Sequence, residues 1–262
     1  MSLTGKSAVV TGSTSGIGLA SAEALAAQGA NVLINGLVSD PAEGQEIAER
    51  IAKAHGVKTL FHGANMMKPE EIGDMVETAA RTFGSVDILM NNAGIQHTAS
   101  VEEFPLEKWD AIIAINLSAA FHASRVALPY MQKKGWGRII NTASVHGVVA
   151  SVQKAAYVAA KHGIVGLTKV IALENADKGI TCNAICPGWV NTPLIQQQIK
   201  DLAAREGVSI EEGTKRLIGA KQPSKGFVQP EQIGAVVAFL CSDAASQTTG
   251  ISMPIDGGWT AQ

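Results

Sequence analysis

Short apolar segments alternate with helical segments along almost the whole length of this 262-residue chain. Seven segments have the composition of strands, at residues 7–11, 31–35, 58–62, 86–90, 138–141, 180–185 and 250–255. Most are continuously apolar instead of alternating with polar residues, which is typical of parallel strands buried on both faces. The pattern predicts an α/β fold, a doubly wound parallel sheet with helices on both faces in three layers, α/β/α.

Length and composition favour one large domain, residues 1–262, because an α/β domain of about 250 residues folds as one unit. Hydrophobic residues make up 46% of the chain and charged residues 17%, which suits a deep core. The more polar helical stretch at about 190–225 is predicted to be a lid over the substrate cleft. The net charge of −2 provides no basic surface for nucleic acid, so we expect no nucleic-acid partner.

Three cysteines, Cys182, Cys186 and Cys241, have no C-x-x-C spacing and are predicted to be small buried residues in a reducing compartment. The chain runs into its first strand without a secretory signal. No uninterrupted apolar run approaches the ~18 residues of a membrane span. No histidine–carboxylate spacing indicates a metal site. We therefore expect a cytoplasmic protein without a membrane partner or a metal.

A glycine-rich loop, with glycines at 12, 16 and 18, follows the first strand and precedes an alanine-rich helix that ends near residue 28. Glycines allow a tight turn and a close approach of the backbone to a ligand, and the first amides of a helix attract an anion. The spacing is G-x-x-x-G-x-G, and many glycine loops only turn a corner. Its place between a strand and a helix favours a dinucleotide pyrophosphate site.

The second strand ends in Gly36-Leu37, where a nucleotide-binding unit faces the adenosine ribose. An Asp there would favour NAD and a basic residue would favour NADP, but neither is present. Leu37 is apolar and Ser15 carries no charge, so a 2′-phosphate would lack compensation. We therefore expect NAD as the cofactor.

Tyr157 and Lys161 are four residues apart in a predicted helix and so lie on one face. Ser144 follows the preceding strand and can return to that helix. A nearby ammonium favours a phenolate and lowers its pKa, which makes a tyrosine a better acid or base near neutral pH. Taken alone, such a pair is usually a surface tyrosine beside a lysine. Asn116, in an earlier helical pattern, is either a local kink or a residue that holds water.

Together these motifs resemble the short-chain dehydrogenase/reductase family. The matching segments are T-G-S-T-S-G-I-G at 11–18, N-N-A-G at 91–94, Asn116, Ser144, Y-V-A-A-K at 157–161 and P-G at 187–188. The resemblance covers essentially the whole chain. It implies a Rossmann fold, a nicotinamide cofactor, hydride transfer and a homotetramer.

The resemblance also assigns roles to matching positions. Tyr157 is the expected acid/base, Lys161 its partner and a ligand of the nicotinamide ribose, Ser144 the donor to the carbonyl oxygen, and Asn116 the proton-relay residue. The cofactor is expected to contact Gly12, Thr14, Ser15, Gly16, Ile17, Gly18, Leu37, Asn65, Met66, Asn92, Ala93, Gly94, Tyr157, Lys161, Pro187, Gly188, Val190 and Thr192.

Within the family, the chain resembles in particular the members that interconvert (R)-3-hydroxybutyrate and acetoacetate. The segments N-N-A-G-I-Q-H (91–97), A-S-V-H-G (143–147), K-A-A-Y-V-A-A-K-H-G (154–163), C-N-A-I-C-P-G-W-V (182–190), K-Q-P-S (221–224) and D-G-G-W (256–259) carry this likeness. It implies a small hydroxy-acid substrate. The expected substrate-binding residues, besides Ser144 and Tyr157, are Gln96, His146, Lys154 and Gln198 at the carboxylate, and Trp189 and Trp259 at the methyl end.

Each assignment has a structural alternative. Lys154 and Gln198 are also compatible with exposed helix residues, His146 with a structural histidine, and the two tryptophans with core or tetramer contacts. The reaction likewise has alternatives, since another hydroxy acid, a keto ester or a sugar would suit the same fold. A cofactor-binding scaffold without catalysis is the remote alternative.

One position departs from the family pattern. Members often have an Asp after the third strand that contacts the adenine amino group, whereas this chain has Asn65. A neutral amide oxygen is a weaker acceptor than a carboxylate. We therefore expect a lower affinity for the cofactor than in relatives with Asp.

Overall fold

The computed structural model describes residues 2–261 and contains a seven-stranded parallel sheet in the order β3-β2-β1-β4-β5-β6-β7. The strands are β1 (Ser7–Val10), β2 (Asn31–Asn35), β3 (Thr59–His62), β4 (Ile88–Asn91), β5 (Gly137–Thr142), β6 (Ile180–Pro187) and β7 (Ser252–Ile255). All seven predicted strands are present, with ends that shift by up to two residues. The predicted doubly wound α/β fold is confirmed.

Nine α-helices connect or follow the strands in the described part of the chain. They are α1 (Gly16–Ala27), α2 (Pro41–His55), α3 (Pro69–Phe83), α4 (Leu106–Ile113), α5 (Ala119–Lys134), α6 (Ala155–Asn175), α7 (Pro193–Glu206), α8 (Ile210–Gly219) and α9 (Pro230–Leu240). Helices α7 and α8 occupy the polar stretch after β6. Their role as a lid stays a prediction.

Two apolar cores lie on opposite faces of the sheet because alternate residues of each strand point in opposite directions. In β1, Val10 packs with residues of α1, α2 and α9, whereas its neighbour Val9 packs with residues of α3, α5 and α6. Both faces are therefore covered, which explains the continuously apolar strands. The three cysteines are free and buried, as predicted.

The sheet reverses its winding between β1 and β4, the two central neighbours. After β1 the chain continues to β2 on one side of this central pair, and after β4 it continues to β5 on the opposite side. Ligands of open α/β sheets bind at the carboxyl ends of the strands beside such a reversal. The glycine loop after β1 and the N-N-A-G segment at the end of β4 meet there.

The long helical pattern around Asn116 is not one regular helix. A π-helical segment, Ala114–Ser118, separates α4 from α5 and contains the buried Asn116. A π turn holds one extra residue and re-aims its side chains, and such turns are frequent at functional sites. The sequence predicted helix here but not the change of helix type.

Two stretches, Leu106–Lys134 and Ala155–Lys178, are long and apolar enough to cross a membrane by length and composition alone. Scattered polar residues interrupt both stretches, so neither contains a long uninterrupted apolar run. In the fold, α5 contacts β4 and β5, and α6 contacts β6. Apolar residues of α5 and α6 therefore contribute to the core on the face of the sheet that contains Val9.

Candidate active site

The glycine loop is braced by the end of β4. The hydroxyl of Thr11 accepts hydrogen bonds from the backbone N–H groups of Asn92 and Ala93, at 2.9 and 3.0 Å. The side-chain amide of Asn92 in turn donates to the carbonyl oxygens of Thr11 and Gly12, at 3.0 and 2.9 Å. These four bonds hold the first turn of the loop against the N-N-A-G segment. The same bonds keep the glycine loop at the carboxyl ends of β1 and β4, where the strand order reverses.

The glycines of the loop allow its backbone to pack closely against neighbouring segments of the chain. Gly12 and Gly16 have φ angles of 60° and 54°, in the left-handed region that favours glycine. A Cβ atom on Gly18 would lie 2.2 Å from the Gly12 carbonyl oxygen and 2.6 Å from the Asn92 amide nitrogen. Helix α1 begins at Gly16, so its unpaired first amides directly follow this closely packed turn. Such amides suit an anion, for example the pyrophosphate of a dinucleotide.

Ser144, Tyr157 and Lys161 meet at the carboxyl end of β5, as the sequence predicted. Ser144 follows β5, while Tyr157 and Lys161 lie one turn apart in α6. The ammonium of Lys161 is buried, donates to the carbonyl oxygen of Thr142 at 2.6 Å and lies 5.5 Å from the centre of the Tyr157 ring. All three line one cavity of about 150 Å³.

Burial shifts the two titrating groups of this trio in opposite directions. It lowers the pKa of Lys161 to about 8 and raises the pKa of Tyr157, while a hydrogen bond with Ser144 acts to lower the tyrosine pKa. The predicted depression of the Tyr157 pKa by Lys161 is therefore not found in the chain alone. The reason is that desolvation disfavours the phenolate more than its surroundings favour it. The phenol form, which can donate a proton, predominates at neutral pH.

Asn116 is buried beneath the segment that follows Gly94. Its side-chain oxygen accepts from the backbone N–H of Ile95, and its side-chain nitrogen donates to the Ile95 carbonyl, both at 2.9 Å. The side chain thus clamps the loop that leads to Gln96. Whether Asn116 also relays protons stays a prediction.

Most of the predicted residues line the same cavity of about 150 Å³. Those of the cofactor and substrate sets found there are Ile17, Asn92, Gly94, Gln96, Ser144, His146, Lys154, Tyr157, Lys161, Pro187, Gly188, Trp189, Val190, Thr192 and Trp259. They come from the first turn of α1, from the end of β6 and the segments that follow β4, β5 and β6, from α6 and the loop before it, and from the C-terminal segment. The fold therefore brings together residues more than 200 positions apart in the sequence.

Burial lowers the pKa of both His146 and Lys154, which line this cavity. Burial, followed by the nearby Lys154, lowers the pKa of His146 to about 4, so the imidazole is neutral at neutral pH. Its Nδ1 lies 3.4 Å from the Ser144 hydroxyl and its Nε2 lies 3.0 Å from the Ser151 hydroxyl. Burial also lowers the pKa of Lys154, because desolvation disfavours the charged ammonium. Lys154 is the lysine of the predicted carboxylate site, and His146 beside it offers a neutral hydrogen bond.

Two tryptophans form an apolar wall. The rings of Trp189 and Trp259 lie 5.5 Å apart at 38°, and the ring of His146 meets Trp259 edge-on at 5.6 Å. The ammonium of Lys154 lies 5.4 Å from the centre of the Trp189 ring. The wall borders both the predicted carboxylate site and the space for an apolar group.

Gln198 is not in the inner cavity. It lies on α7 and lines a wider outer cavity of about 650 Å³, which shares Gln96, Lys154, Trp189, Leu194 and Trp259 with the inner one. Gln198 thus lines the outer cavity together with Lys154 and Gln96, whereas His146 lines the inner one. The role of Gln198 at the carboxylate stays a prediction.

The remaining predicted cofactor residues lie over β1, β2 and β3. Gly36 follows β2 against Thr14, since a Cβ atom on Gly36 would lie 2.6 Å from the Thr14 hydroxyl, and Leu37 is 71% exposed. Met66 is buried. Ser15 is the N-cap of α1 and its side chain makes no capping bond. None of these residues lines the cavity that contains Tyr157, and their contact with the cofactor stays a prediction.

Asn65 does not offer its oxygen freely. Its side-chain oxygen accepts from the Met67 backbone N–H at 2.9 Å, and its own backbone N–H donates to Glu71 at 2.8 Å. A backbone N–H can only donate, so this bond fixes which side-chain atom of Asn65 faces Met67. The amide NH₂ group is left as the other polar face of the side chain. This arrangement is consistent with the expected weaker contact to an adenine amino group.

Several supporting residues were missed by the sequence analysis. Thr142 holds Lys161 through its backbone, so no sequence signal could reveal it. Ser151 contacts His146 from five residues away. Gln222 is buried and accepts from the Trp189 backbone N–H at 3.0 Å. Gln222 lies in the K-Q-P-S segment, which was noted but given no role.

Comparison with known proteins agrees with this geometry. A family model described as enoyl-(acyl carrier protein) reductase matches residues 12–260. A protein of Cupriavidus necator named D-beta-hydroxybutyrate dehydrogenase is 58% identical over 260 residues, which is 99% of this chain and 100% of that protein. One of Rhizobium meliloti with the same name is 52% identical over 98% of this chain and 99% of that protein.

A solved structure gives the same result for the fold. L-sorbose reductase from Gluconobacter frateurii, complexed with NADPH and L-sorbose, superimposes with a TM-score of 0.95 and 31% identity over 100% of this chain and 99% of that one. The Rossmann fold of this family binds a nicotinamide cofactor. The chain is an oxidoreductase that belongs to the short-chain dehydrogenase/reductase family.

Proposed function

We propose that this enzyme interconverts (R)-3-hydroxybutyrate and acetoacetate with NAD. The observation that carries the proposal is the position of Lys154, His146 and Gln96 beside Ser144 and Tyr157 in one cavity of about 150 Å³. A small acid can place its carboxylate at the lysine and its hydroxyl carbon at the tyrosine. The names of the 58% and 52% identical relatives support this substrate.

The chemistry at the hydroxyl end is assigned to Ser144, Tyr157 and Lys161. The cofactor, when bound, supplies the hydride acceptor or donor. In oxidation, the phenolate form of Tyr157 takes the hydroxyl proton while Ser144 donates a hydrogen bond to the substrate oxygen; in reduction, the phenol form of Tyr157 gives the proton back as an acid. We assign Lys161 to the nicotinamide ribose and to passing the proton on, with water held near Asn116. The upward pKa shift of Tyr157 suits its role as an acid and makes the oxidation direction more dependent on alkaline pH.

We assign the binding of the substrate carboxylate to one charged hydrogen-bond donor and two neutral ones. Lys154 supplies the positive charge, and Gln96 and His146 supply hydrogen bonds, since charge-assisted bonds are the stronger ones. Trp189 and Trp259 enclose the methyl group. Gln198 joins them in our proposal only when α7 moves toward the cavity, so residues 190–225 act as a lid.

We propose NAD instead of NADP because the region at the end of β2 has no cation. Gly36, Leu37, Thr14 and Ser15 are uncharged, and a 2′-phosphate there would be uncompensated. The NADPH of the L-sorbose reductase complex belongs to that protein, which is 31% identical to this chain.

The proposed assembly is a homotetramer in the cytoplasm. Exposed apolar residues on the outer faces of α5 and α6, namely Phe121, Val170 and Leu173, support burial in an interface. Free, buried cysteines suit a reducing compartment. We propose that one domain of residues 1–262 forms each subunit.

The substrate is tested by following the absorbance of NADH with each enantiomer of 3-hydroxybutyrate. We expect turnover with the R enantiomer and NAD, and little with the S enantiomer or with NADP. Activity on a secondary alcohol or sugar, with neither enantiomer oxidised, would contradict the substrate and leave the chemistry of Tyr157 intact.

Lys154→Ala tests the carboxylate site. Loss of a charge-assisted bond to the substrate should raise KM for (R)-3-hydroxybutyrate about tenfold or more and leave KM for its neutral methyl ester nearly unchanged. Lys169→Ala, which removes a lysine from the exposed side of α6, is the control. Equal effects of Lys154→Ala on the acid and the ester would exclude the proposed contact.

Tyr157→Phe tests the acid/base group. Removal of a general acid/base costs about 10²–10⁴ in rate, so turnover should fall by that factor while NAD binding, measured by titration, stays nearly unchanged. The chain has two tyrosines, so Tyr130→Phe is a matched control that should keep full activity. Substantial activity in Tyr157→Phe would refute the assignment.

Asn65→Asp tests the adenosine half of the site. A carboxylate can keep the bond to Met67 and offer its second oxygen to the adenine amino group, so Kd for NAD should fall about fivefold. Nicotinamide hypoxanthine dinucleotide lacks that amino group and should show no gain. An unchanged Kd for NAD would show that Asn65 does not weaken the binding of the cofactor.

A further inference from the structure

We propose that Gln153 is a positioning residue, whose left-handed backbone sets the carboxylate-binding groups in place. The proposal rests on the proposed function, because it concerns how Lys154, Gln96 and His146 are held for an acid substrate. Gln153 lies in an exposed turn, residues 151–154, immediately before Lys154 and α6.

The first observation is the conformation of Gln153. Its φ is 62°, and Gln153 and Lys225 are the two non-glycine residues with positive φ among residues 2–261. A residue with a Cβ atom rarely adopts this region unless its surroundings impose it. Gln153 is exposed, so burial of its side chain does not impose it. The constraint therefore acts on its backbone.

The second observation is what the backbone of this turn holds. The carbonyl of Gln153 accepts a hydrogen bond from the backbone N–H of Ala99 at 3.1 Å. Ala99 also pairs with Lys154 in an isolated parallel β-bridge. Ala99 lies three residues after Gln96, so this bridge joins the two loops that carry Gln96 and Lys154.

The same turn also supports His146. The hydroxyl of Ser151 lies 3.0 Å from the His146 Nε2. One four-residue turn thus contacts His146 through Ser151, the Gln96 loop through Ala99, and carries Lys154 itself. A carboxylate held by all three groups depends on the shape of this turn.

The left-handed residue controls that shape. A return of Gln153 to ordinary φ would rotate the neighbouring peptide groups, which would break the bond to Ala99 or displace Lys154. Tyr157 would be affected less, because it lies within α6, where the Val158 N–H donates to the Lys154 carbonyl at 2.8 Å. Acid recognition should therefore change while the chemistry and the cofactor site are kept.

The test is a set of variants at residue 153, assayed with (R)-3-hydroxybutyrate and with its methyl ester. Gln153→Val places a β-branched residue, which disfavours positive φ, and KM for the acid should rise about tenfold. This rise of about tenfold corresponds to the cost of the strained backbone conformation. We expect kcat, KM for the ester and Kd for NAD to stay within about twofold of the wild-type values, because the reacting groups and the cofactor site do not depend on this turn. Gln153→Asn and Gln153→Gly, which tolerate positive φ, should keep the wild-type KM.

Val152→Gln is the matched control, because Val152 is the exposed neighbour in the same turn and has no positive φ. It should leave KM for the acid unchanged. Thermal unfolding identifies any variant that fails to fold, and Gln153→Ala, with a smaller conformational penalty, then replaces Gln153→Val.

Two outcomes would overturn the positioning role. The first is an unchanged KM for the acid in a folded Gln153→Val or Gln153→Ala enzyme. The second is a parallel rise of KM for acid and ester, which would indicate a general loss of structure. A wild-type enzyme that does not oxidise the acid would contradict the proposed function instead, so the two failures are distinguishable.

Discussion

The hydroxyl of Thr11 joins the two halves of this enzyme at the carboxyl edge of the sheet. It accepts the N–H groups of Asn92 and Ala93, and the Asn92 amide returns two hydrogen bonds to the glycine loop. The loop is thereby fixed to β4, and β4 lies beside β5, which leads to Ser144. Hydrogen bonds between the Thr11 and Asn92 side chains and the backbone therefore help to set the distance between the glycine loop and the reacting groups.

Desolvation organises the electrostatics of the inner cavity. It lowers the pKa of His146 and of Lys161 and raises that of Tyr157, so each group tends toward its neutral form. Burial lowers the pKa of Lys154 in the same way, so the site can take an anion without holding several buried charges in the free enzyme. The arrangement suits a small monoanion better than a neutral sugar, which would leave Lys154 without a partner.

Much of the fold and the reacting groups could be predicted from the sequence. Continuously apolar strands indicated a sheet covered on both faces, and the four-residue spacing of Tyr157 and Lys161 placed them on one side of a helix. These features depend on local periodicity, which a sequence displays directly.

Other features depend on backbone geometry or burial, which a sequence does not display. The π turn at Asn116, the bond from Lys161 to the carbonyl of Thr142 and the left-handed Gln153 belong to this group. So does the direction of the Tyr157 pKa, because it follows from how completely the phenol is desolvated. Gln198 shows the same limit, since its place in the outer cavity depends on the position of α7.

The π turn at Ala114–Ser118 has a consequence for the length of the chain in this region. It holds one residue more than an α-helical turn, and each helical residue advances the direction of side chains by about 100°. A deletion of one residue there would restore a regular helix and turn Asn116 away from Ile95. The Gly94–Gln96 segment would lose its clamp even though every other side chain of the site remained. The count of residues before α5 is thus as much a part of the site as their identity.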